Sequence, residues 1–389
     1  MERIYLDHGA TTPLDREVLE AMMPFLTDYF GNPSSAHSFG REVRRYVEEA
    51  REKIANNLGA DSEEVFFTSG GTEADNLAVT GTARALRERG NHIITSVVEH
   101  HAVLDTCLAL KNEGFDLTVL PVDNQGLVDP EDVKKAIKGS TILVSVMYTN
   151  NEVGTVQPIE EIGKITREKG VLFHTDAVQA VGNLPVGVEK LNVDLLALSA
   201  HKFYGPKGVG ALYIRKGTKV NRLAHGGGQE RGMRAGTENV PGIIGMAEAI
   251  ELANSRMGEN VSRMKGLRDR LIKGLLSIGE VQLNGHPTRR LAGNVNVSIE
   301  YIEGEALLLS LDLKRIAASS GSACTSGSIE PSHVLLAMGI PEQTARGSIR
   351  FTLGRHTTQK EIDYVLEVVT EAVSRLRNMS SIYQGKGER

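Results

Sequence analysis

The apolar positions of the chain form short runs that alternate with stretches of helical periodicity. Between Val65 and Arg215, strand-length apolar runs recur, and most are separated by stretches in which apolar residues repeat at helical spacing. This alternation predicts an α/β fold with a largely parallel sheet. The run GALYIR follows DLLALSA too closely for a helical crossover, so we predict that it is antiparallel. The predicted strands of this seven-stranded sheet lie in VFFTSGG, HIITSVVEH, LTVLPV, TILVSVMYTN, VLFHTDA, DLLALSA and GALYIR, with helices beginning near Thr72 and His101.

The chain on either side of this region is organised differently. Arg41 to Leu58 has the spacing of an amphipathic helix, and residues 240–280 have that of one long charged helix, interrupted only by Gly258 and Gly266. We predict a large domain at 15–258 and a smaller α+β domain formed by 1–14 and 259–389. The predicted elements of the smaller domain are a strand near residue 4, the strand VNVSI, a helix at 304–311, a polar loop at 318–328, a helix at 331–338, the strand SIRFTLG and a last helix to about Arg377.

Composition narrows the functional class. The 389 residues are 40% hydrophobic and 24% charged, with a net charge of −5, which gives no electrostatic footprint for nucleic acid. The start MERIYLDHGATTP lacks the apolar core of a signal peptide, and no apolar run has the length of a membrane span. Two cysteines argue against a disulfide framework and for a reducing compartment. We therefore expect a cytoplasmic α/β enzyme or binding protein that does not bind nucleic acid or membrane.

Two polar side chains follow neighbouring apolar runs in a way that indicates a site. Asp176 ends VLFHTD, and Lys202 follows DLLALSAH. Open α/β sheets bind ligands at the carboxyl ends of their strands, so both residues are predicted to reach one crevice. A lone Lys is usually a solvated charge, but Lys202 follows Ser-x-His and precedes a Gly-rich stretch, whereas Lys207 lacks this context. An amine that can form a Schiff base and a carboxylate that can pair with a pyridinium nitrogen are the groups that hold pyridoxal phosphate (PLP).

The residues HTDAVQ and SAHKFYGPKGVG closely resemble the PLP site of cysteine desulfurases of the NifS/IscS type, which are class V aminotransferase-like enzymes of PLP fold type I. The resemblance covers essentially the whole chain. It implies a homodimeric enzyme that converts L-cysteine to L-alanine and supplies sulfur to an iron–sulfur scaffold protein or another acceptor. One departure is Gly9 in LDHGATTP, where the family usually has a different residue.

The resemblance also assigns roles to individual positions. Lys202 would bind PLP and take the Cα proton of the substrate, and Asp176 would pair with the ring nitrogen. His100 would stack on the ring and move protons, and Arg350 would bind the substrate carboxylate through its bidentate guanidinium. The other implied contacts are Gly71, Thr72, Ser199 and His201 to the phosphate, Asn151 and Gln179 to the ring and its phenolic oxygen, Asn151 also to the substrate, and Thr237 to the phosphate in the partner subunit.

Cys324 is the predicted sulfur acceptor. It lies in SSGSACTSGS, a small and polar run of the kind that is solvated and mobile, whereas free Cys is usually buried. That contrast favours a reactive thiol, while Cys107 in AVLDTCLALK fits a core position. By resemblance, Cys324 would carry the sulfur as a persulfide. No intrinsic metal site is predicted, although Cys324 could ligate an iron–sulfur cluster during transfer.

Three alternatives compete with this interpretation. A small-substrate aminotransferase or a selenocysteine lyase would keep the cofactor but would need no mobile cysteine. A catalytically idle scaffold would keep the fold for partner binding, although every matched cofactor position holds the expected residue. A nucleotide-binding protein is least favoured, because both the dinucleotide and the P-loop signatures are missing. The short carboxyl-terminal tail lacks the longer end by which bacterial housekeeping members of the family contact their scaffold.

Overall fold

The protein is described by a computed structural model that covers residues 3–320, 331–379 and 383. Short 3-10 turns lie at Ser62–Glu64, Ala200–Lys202 and Glu230–Gly232. The helices are α1 Arg16–Met22, α2 Pro24–Thr27, α3 Ser38–Leu58, α4 Gly71–Ala85, α5 His101–Asn112, α6 Pro130–Ala136, α7 Ile159–Lys169, α8 Val188–Leu191, α9 Val240–Ser255, α10 Met257–Leu276, α11 Gly304–Leu313, α12 His333–Ala337, α13 Glu342–Arg346 and α14 Gln359–Met379. The strands are β1 Ile4–Tyr5, β2 Val65–Thr68, β3 His92–Ser96, β4 Asp116–Leu120, β5 Thr141–Ser145, β6 Leu172–Asp176, β7 Leu195–Ser199, β8 Gly210–Ile214, β9 Val281–Leu283, β10 Asn294–Ile299, β11 Ile316–Ala317, β12 Ser319–Ser320 and β13 Ser348–Thr352.

A seven-stranded sheet in the order β2-β8-β7-β6-β5-β3-β4 forms the centre of the described chain. The strands from β7 to β4 in this order run parallel, and β8 is antiparallel to both of its neighbours. The predicted α/β sheet and its antiparallel member are therefore confirmed.

Both faces of the sheet are covered by helices, which explains why its strands are apolar throughout. Side chains alternate between two cores: Leu196 and Leu198 join the core that includes α3, α7 and α9, whereas Leu195 and Ala197 join the core of α4 and α5. Polar groups therefore collect where the strands end.

A further core lies in the smaller unit. Its antiparallel sheet has the order β12-β13-β10-β9, and β1 pairs in parallel with β11. Apolar residues of β1, α10, β10, α11, β13 and α14 fill this core. The grouping agrees with a small domain built from both ends of the chain, while the boundaries at 14 and 258 stay predictions.

The prediction of one helix over 240–280 is wrong. The chain breaks at Arg256, whose φ of −101° and ψ of 2° end α9 before α10 begins. Helix α9 packs against α3 and α1, whereas α10 packs against α14 and β10. Because the two halves bury their apolar faces in different cores, the axis must change direction between them. Within the described residues, none of the helices combines the length and the apolar character that crossing a membrane requires.

Candidate active site

The sequence-predicted site residues meet in one cavity at the carboxyl ends of β6 and β7. Its volume is about 350 Å³, within the usual range for small-molecule sites. The cavity is lined by all the predicted residues that the structure describes, apart from Thr237: Gly71, Thr72, His100, Asn151, Asp176, Gln179, Ser199, His201, Lys202 and Arg350.

Asp176 and Lys202 reach the cavity from adjacent parallel strands. Asp176 is the last residue of β6, and Lys202 ends the short turn that follows β7. The buried Asp176 Oδ1 accepts a hydrogen bond from the Val178 N–H at 2.8 Å. Burial raises the pKa of this carboxyl, and the nearby His100 and Lys202 oppose the effect. A cationic group in the cavity would therefore be a favourable partner for Asp176.

The loop around Gly9 holds the lysine. Lys202 Nζ donates to the Gly9 carbonyl at 2.5 Å and to the Ala10 carbonyl at 2.8 Å, and Gln179 Nε2 donates to the same Gly9 oxygen at 3.0 Å. A Cβ at position 9 would lie 3.0 Å from Thr352 Cγ2. Glycine at position 9 therefore avoids a tight contact with β13.

The turn before α4 provides a concentration of backbone donors. Gly71 and Thr72 are the first residues of this helix, where N–H groups lack intrahelical partners. A Cβ at Gly71 would lie 2.6 Å from Cγ2 of Val178, two residues after Asp176, so this side chain approaches too closely for any residue but glycine here. His201 Nδ1 lies 3.1 Å from Thr11 Oγ1, and burial, followed by the charge of Lys202, lowers the pKa of His201 to about 4.

His100 caps α5 and is therefore held at a fixed angle to the cavity. Its Nδ1 accepts the Ala102 N–H at 3.1 Å, which places the proton of the neutral ring on Nε2. Burial lowers the pKa of His100, while the charge of Asp176 opposes this shift. The ring therefore favours its neutral form, with the Nε2 N–H available as a hydrogen-bond donor.

Arg350 lies on β13 and joins the small domain to the cavity. Its guanidinium, 1% exposed, donates from Nη1 to the Asn151 carbonyl at 2.9 Å and from Nη2 to Asp7 Oδ1 at 3.0 Å. Nε is buried and makes no hydrogen bond within the described residues. Arg350 thus presents a fixed positive charge to one end of the cavity.

Several buried acids near the site were missed by sequence reasoning. Asp75 lines the cavity, and its Oδ1 lies 3.4 Å from His174 Nε2, while His174 Nδ1 lies 2.8 Å from Ser145 Oγ. Glu99 accepts hydrogen bonds from Ser96 Oγ and the Met147 N–H, and burial raises its pKa to about 8. The only available signal was a charged residue inside an apolar pattern.

Three residues singled out from the sequence are not among the described residues that line the cavity: Cys107, Cys324 and Thr237. Cys324 lies outside the described residues. Cys107 is fully buried on α5, and burial raises its pKa to about 12, so its thiol is inert at neutral pH. Thr237 is exposed and does not line the cavity of its own chain. Nearby Arg234 pairs with Glu73 at 2.6 Å and so ties the segment before Thr237 to the start of α4.

Comparison with known proteins places the chain in a family. The model of the aminotransferase class-V family matches residues 4–365. The cysteine desulfurase IscS of Methanosarcina thermophila is 57% identical over 379 residues, covering 97% of this chain and 94% of that protein. The protein of the same name from Dictyoglomus turgidum is 57% identical over 382 residues, covering 98% of this chain and 97% of its own.

Solved structures agree with the sequence comparisons. A NifS-like protein superimposes with a TM-score of 0.91 at 42% identity, covering 96% of this chain and 100% of that one. The apo structure of a cysteine desulfurase from Thermococcus onnurineus NA1 gives a TM-score of 0.86 at 29% identity, covering 96% of this chain and 95% of that one. The chain therefore belongs to the aminotransferase class-V family and, within it, to the cysteine desulfurases.

Proposed function

We propose that this chain works as a homodimeric, PLP-dependent cysteine desulfurase that releases L-alanine from L-cysteine and receives the sulfur on Cys324. The observation that carries the proposal is the convergence of the Lys202 amine and the buried Asp176 carboxyl on one cavity. Arg350 adds a fixed positive charge for an amino-acid carboxylate at the same cavity.

The donor set of the cavity fits PLP. Lys202 would hold the group covalently, and Asp176 would pair with its ring nitrogen, which supplies the cation that the buried carboxyl favours. The N–H groups of Gly71 and Thr72, with Ser199 and His201, would bind its phosphate. Remaining contacts would come from His100 against the ring and from Asn151 and Gln179 at its edge.

The residues of the chain would divide the reaction among them. When bound, PLP supplies an electron sink for the carbon from which a proton is removed. Arg350 and Asn151 orient the substrate, and Lys202 Nζ takes the Cα proton. His100 would stack on the ring and move protons through Nε2, the ring atom that takes no part in capping α5. Asp176 keeps its negative charge at the ring nitrogen.

The sulfur step would need only the thiol of Cys324. As thiolate, Cys324 attacks the substrate sulfur, so a sulfur–sulfur bond forms while the carbon–sulfur bond breaks. The electron pair of the broken bond goes to carbon, which takes up a proton and becomes the methyl group of alanine. The persulfide sulfur then passes to an iron–sulfur scaffold protein or another acceptor, and Cys324 could ligate a cluster during transfer. A cytoplasmic location remains a prediction from cysteine usage.

The test compares the two cysteines as a matched pair. Purified protein supplied with PLP and L-cysteine is expected to form alanine and to carry a persulfide on Cys324, detected by mass spectrometry. Cys324→Ala should abolish the persulfide and nearly all alanine, whereas Cys107→Ala should lower stability more than activity. Full alanine formation by Cys324→Ala would favour the aminotransferase or lyase alternative. Absence of both PLP binding and turnover in the unchanged protein would favour the idle scaffold.

The homodimer is supported by surface features of the single chain. The side chains of Phe30 and Phe39 are 73% and 56% exposed, with ring centroids 5.7 Å apart, which is the kind of apolar surface that a second subunit covers. Thr237, exposed and outside its own cavity, is available to the phosphate site of a partner.

Subunit mixing tests this shared site. Thr237→Glu should repel the phosphate and Lys202→Ala should remove the covalent attachment, so each homodimer should be nearly inactive. If Thr237 serves the partner, a mixed dimer has one site with both lesions and one with neither, and activity returns on mixing. If Thr237 serves its own chain, every mixed site carries one lesion. Failure to recover activity, with exchange verified by differently tagged chains, would refute the shared site.

A further inference from the structure

Glu152 is a buried carboxyl that the mechanism above leaves without a role. It directly follows Asn151, which lines the cavity, and it is 4% exposed. Its Oε2 accepts a hydrogen bond from Ser332 Oγ. The same Ser332 hydroxyl accepts the Leu335 N–H at 3.2 Å and so caps α12. Glu152 therefore links the wall of the cavity to Ser332, the residue that caps α12. Ser332 is the second residue after 321–330, which lie outside the described part of the chain.

The backbone of Glu152 is fixed from both domains. Its N–H donates to Asn150 Oδ1 at 2.9 Å. Its carbonyl accepts hydrogen bonds from the amides of Asn294 and Asn296 on β10, both at 3.1 Å. Because the backbone is held at both its N–H and its carbonyl, the Glu152 side chain starts from a fixed point beside Ser332.

The charged groups that face Glu152 come from β13 and α5. Burial raises the pKa of Glu152 to about 7, while the hydrogen bond from Ser332 and the charges of Arg350 and His101 oppose this effect. Arg350 also donates to the carbonyl of the preceding residue, Asn151, at 2.9 Å. Around α12, the His333 ring lies 4.9 Å from that of His101, and its Nε2 donates to the Glu99 carbonyl at 3.1 Å.

We propose that Glu152 is a positioning residue that couples Arg350 to Ser332. The inference rests on the proposed function, in which Arg350 binds the substrate carboxylate and the segment before Ser332 carries Cys324. Arg350 already pairs with Asp7 at 3.0 Å, and ionised Glu152 adds a second negative charge near the same guanidinium, so it weakens the binding of an incoming substrate carboxylate. In return it fixes the position of Ser332, the residue that caps α12. Glu152 thus trades affinity for the placement of α12, whose residues come after Cys324 in the sequence.

The coupling predicts a split between KM and kcat in the PLP-loaded, full-length enzyme. Glu152→Gln removes the competing charge and weakens the bond to Ser332, so KM for L-cysteine should fall about threefold and kcat about tenfold. Ser332→Ala should lower kcat by a similar factor and leave KM unchanged. Ser332→Thr keeps a hydroxyl and should restore most of the activity.

The pH dependence and a matched control separate this role from a structural one. Because Glu152 ionises near pH 7, the ratio of the wild-type KM to the Glu152→Gln KM should rise as pH increases through about 7. Ser310→Ala serves as the control, since its hydroxyl also meets a charged side chain, Arg375 at 3.1 Å, but on the exposed side of α11. Ser310→Ala should leave both constants unchanged.

A second readout does not depend on turnover. In the protein without PLP, hydrogen–deuterium exchange of the α12 amides should be faster in Glu152→Gln and in Ser332→Ala than in Ser310→Ala. If the unchanged enzyme makes no alanine and no persulfide, the proposed function fails. If the unchanged enzyme turns over but Glu152→Gln leaves KM equal or higher, or leaves α12 exchange unaltered, the coupling role of Glu152 is refuted.

Discussion

Replacing Glu230 by Gln is expected to destabilise the protein strongly, although the residue lies in a glycine-rich segment. Glu230 and Arg51 form a buried ion pair, with side chains that are 2% and 4% exposed. Glu230 Oε2 accepts from Arg51 Nη1 at 2.7 Å and from the Phe67 N–H at 2.8 Å, and Oε1 accepts from Arg51 Nη2 at 2.9 Å. Every oxygen of this carboxylate therefore has a donor that cannot reach water.

The size of the effect follows from what remains after the substitution. Glu230→Gln leaves the buried Arg51 guanidinium with only the half-exposed Glu48 as a counter-charge, at 3.2 Å, and removing one partner of a buried pair costs about 3–5 kcal/mol. Gln keeps one carbonyl oxygen, so we expect about 3 kcal/mol. Replacing both residues by apolar ones, as in Arg51→Met with Glu230→Leu, should recover only part of this loss: the buried charge is removed, but the Phe67 N–H and the Val65 carbonyl lose their partners.

Urea unfolding followed by far-UV circular dichroism measures the change, since the chain has no Trp for fluorescence. Glu49→Gln is the matched control on α3, because the Arg45–Glu49 pair is exposed, with side-chain values of 57% and 51%. Its expected cost is below about 1 kcal/mol. If Glu230→Gln also costs less than about 1 kcal/mol, the pair contributes no more than a surface pair, and the reasoning from burial is wrong.

Three further predictions concern the active site. Lys202→Ala should still bind PLP, but borohydride should no longer fix the cofactor covalently to the protein. Lys207→Ala, at an exposed turn, should behave as wild type. Covalent trapping of PLP on Lys207 would refute the assignment. Burial raises the pKa of Glu99 from 4.5 to about 8, so the folded protein without PLP retains a proton that the unfolded chain loses, and its stability should fall as pH rises through this window. In thermal unfolding at a series of pH values, Glu99→Gln should therefore become increasingly stable relative to wild type as pH rises. A stability difference that does not change with pH would contradict this prediction. Gly9→Ala should cost up to about 1 kcal/mol in urea unfolding, because the new Cβ lies 3.0 Å from Thr352 Cγ2. Thr352→Ser, which removes that methyl group, should reverse the loss, and no rescue would show that the contact is not the cause.

Local patterns in the sequence were sufficient for the central sheet and for the principal residues of the site. Strand-length apolar runs predicted the sheet, and the short connection before Gly210 predicted its antiparallel member, because both depend on spacing along the chain. Asp176 and Lys202 could be paired because the carboxyl ends of parallel neighbours open on one edge. The remaining site residues came from resemblance to a family, and their roles stay predictions.

The sequence by itself determined where polar side chains leave the apolar runs, since that depends only on the order of residues. Only the tertiary structure decided which polar residues become buried and what they meet there. Arg51 meets Glu230, Glu152 meets Ser332, and helix α9 ends at Arg256 because each half of the predicted long helix packs on a different core. A charged residue can be buried only when a partner from elsewhere in the chain compensates for its lost hydration. No local pattern contains that partner, because folding brings the two together.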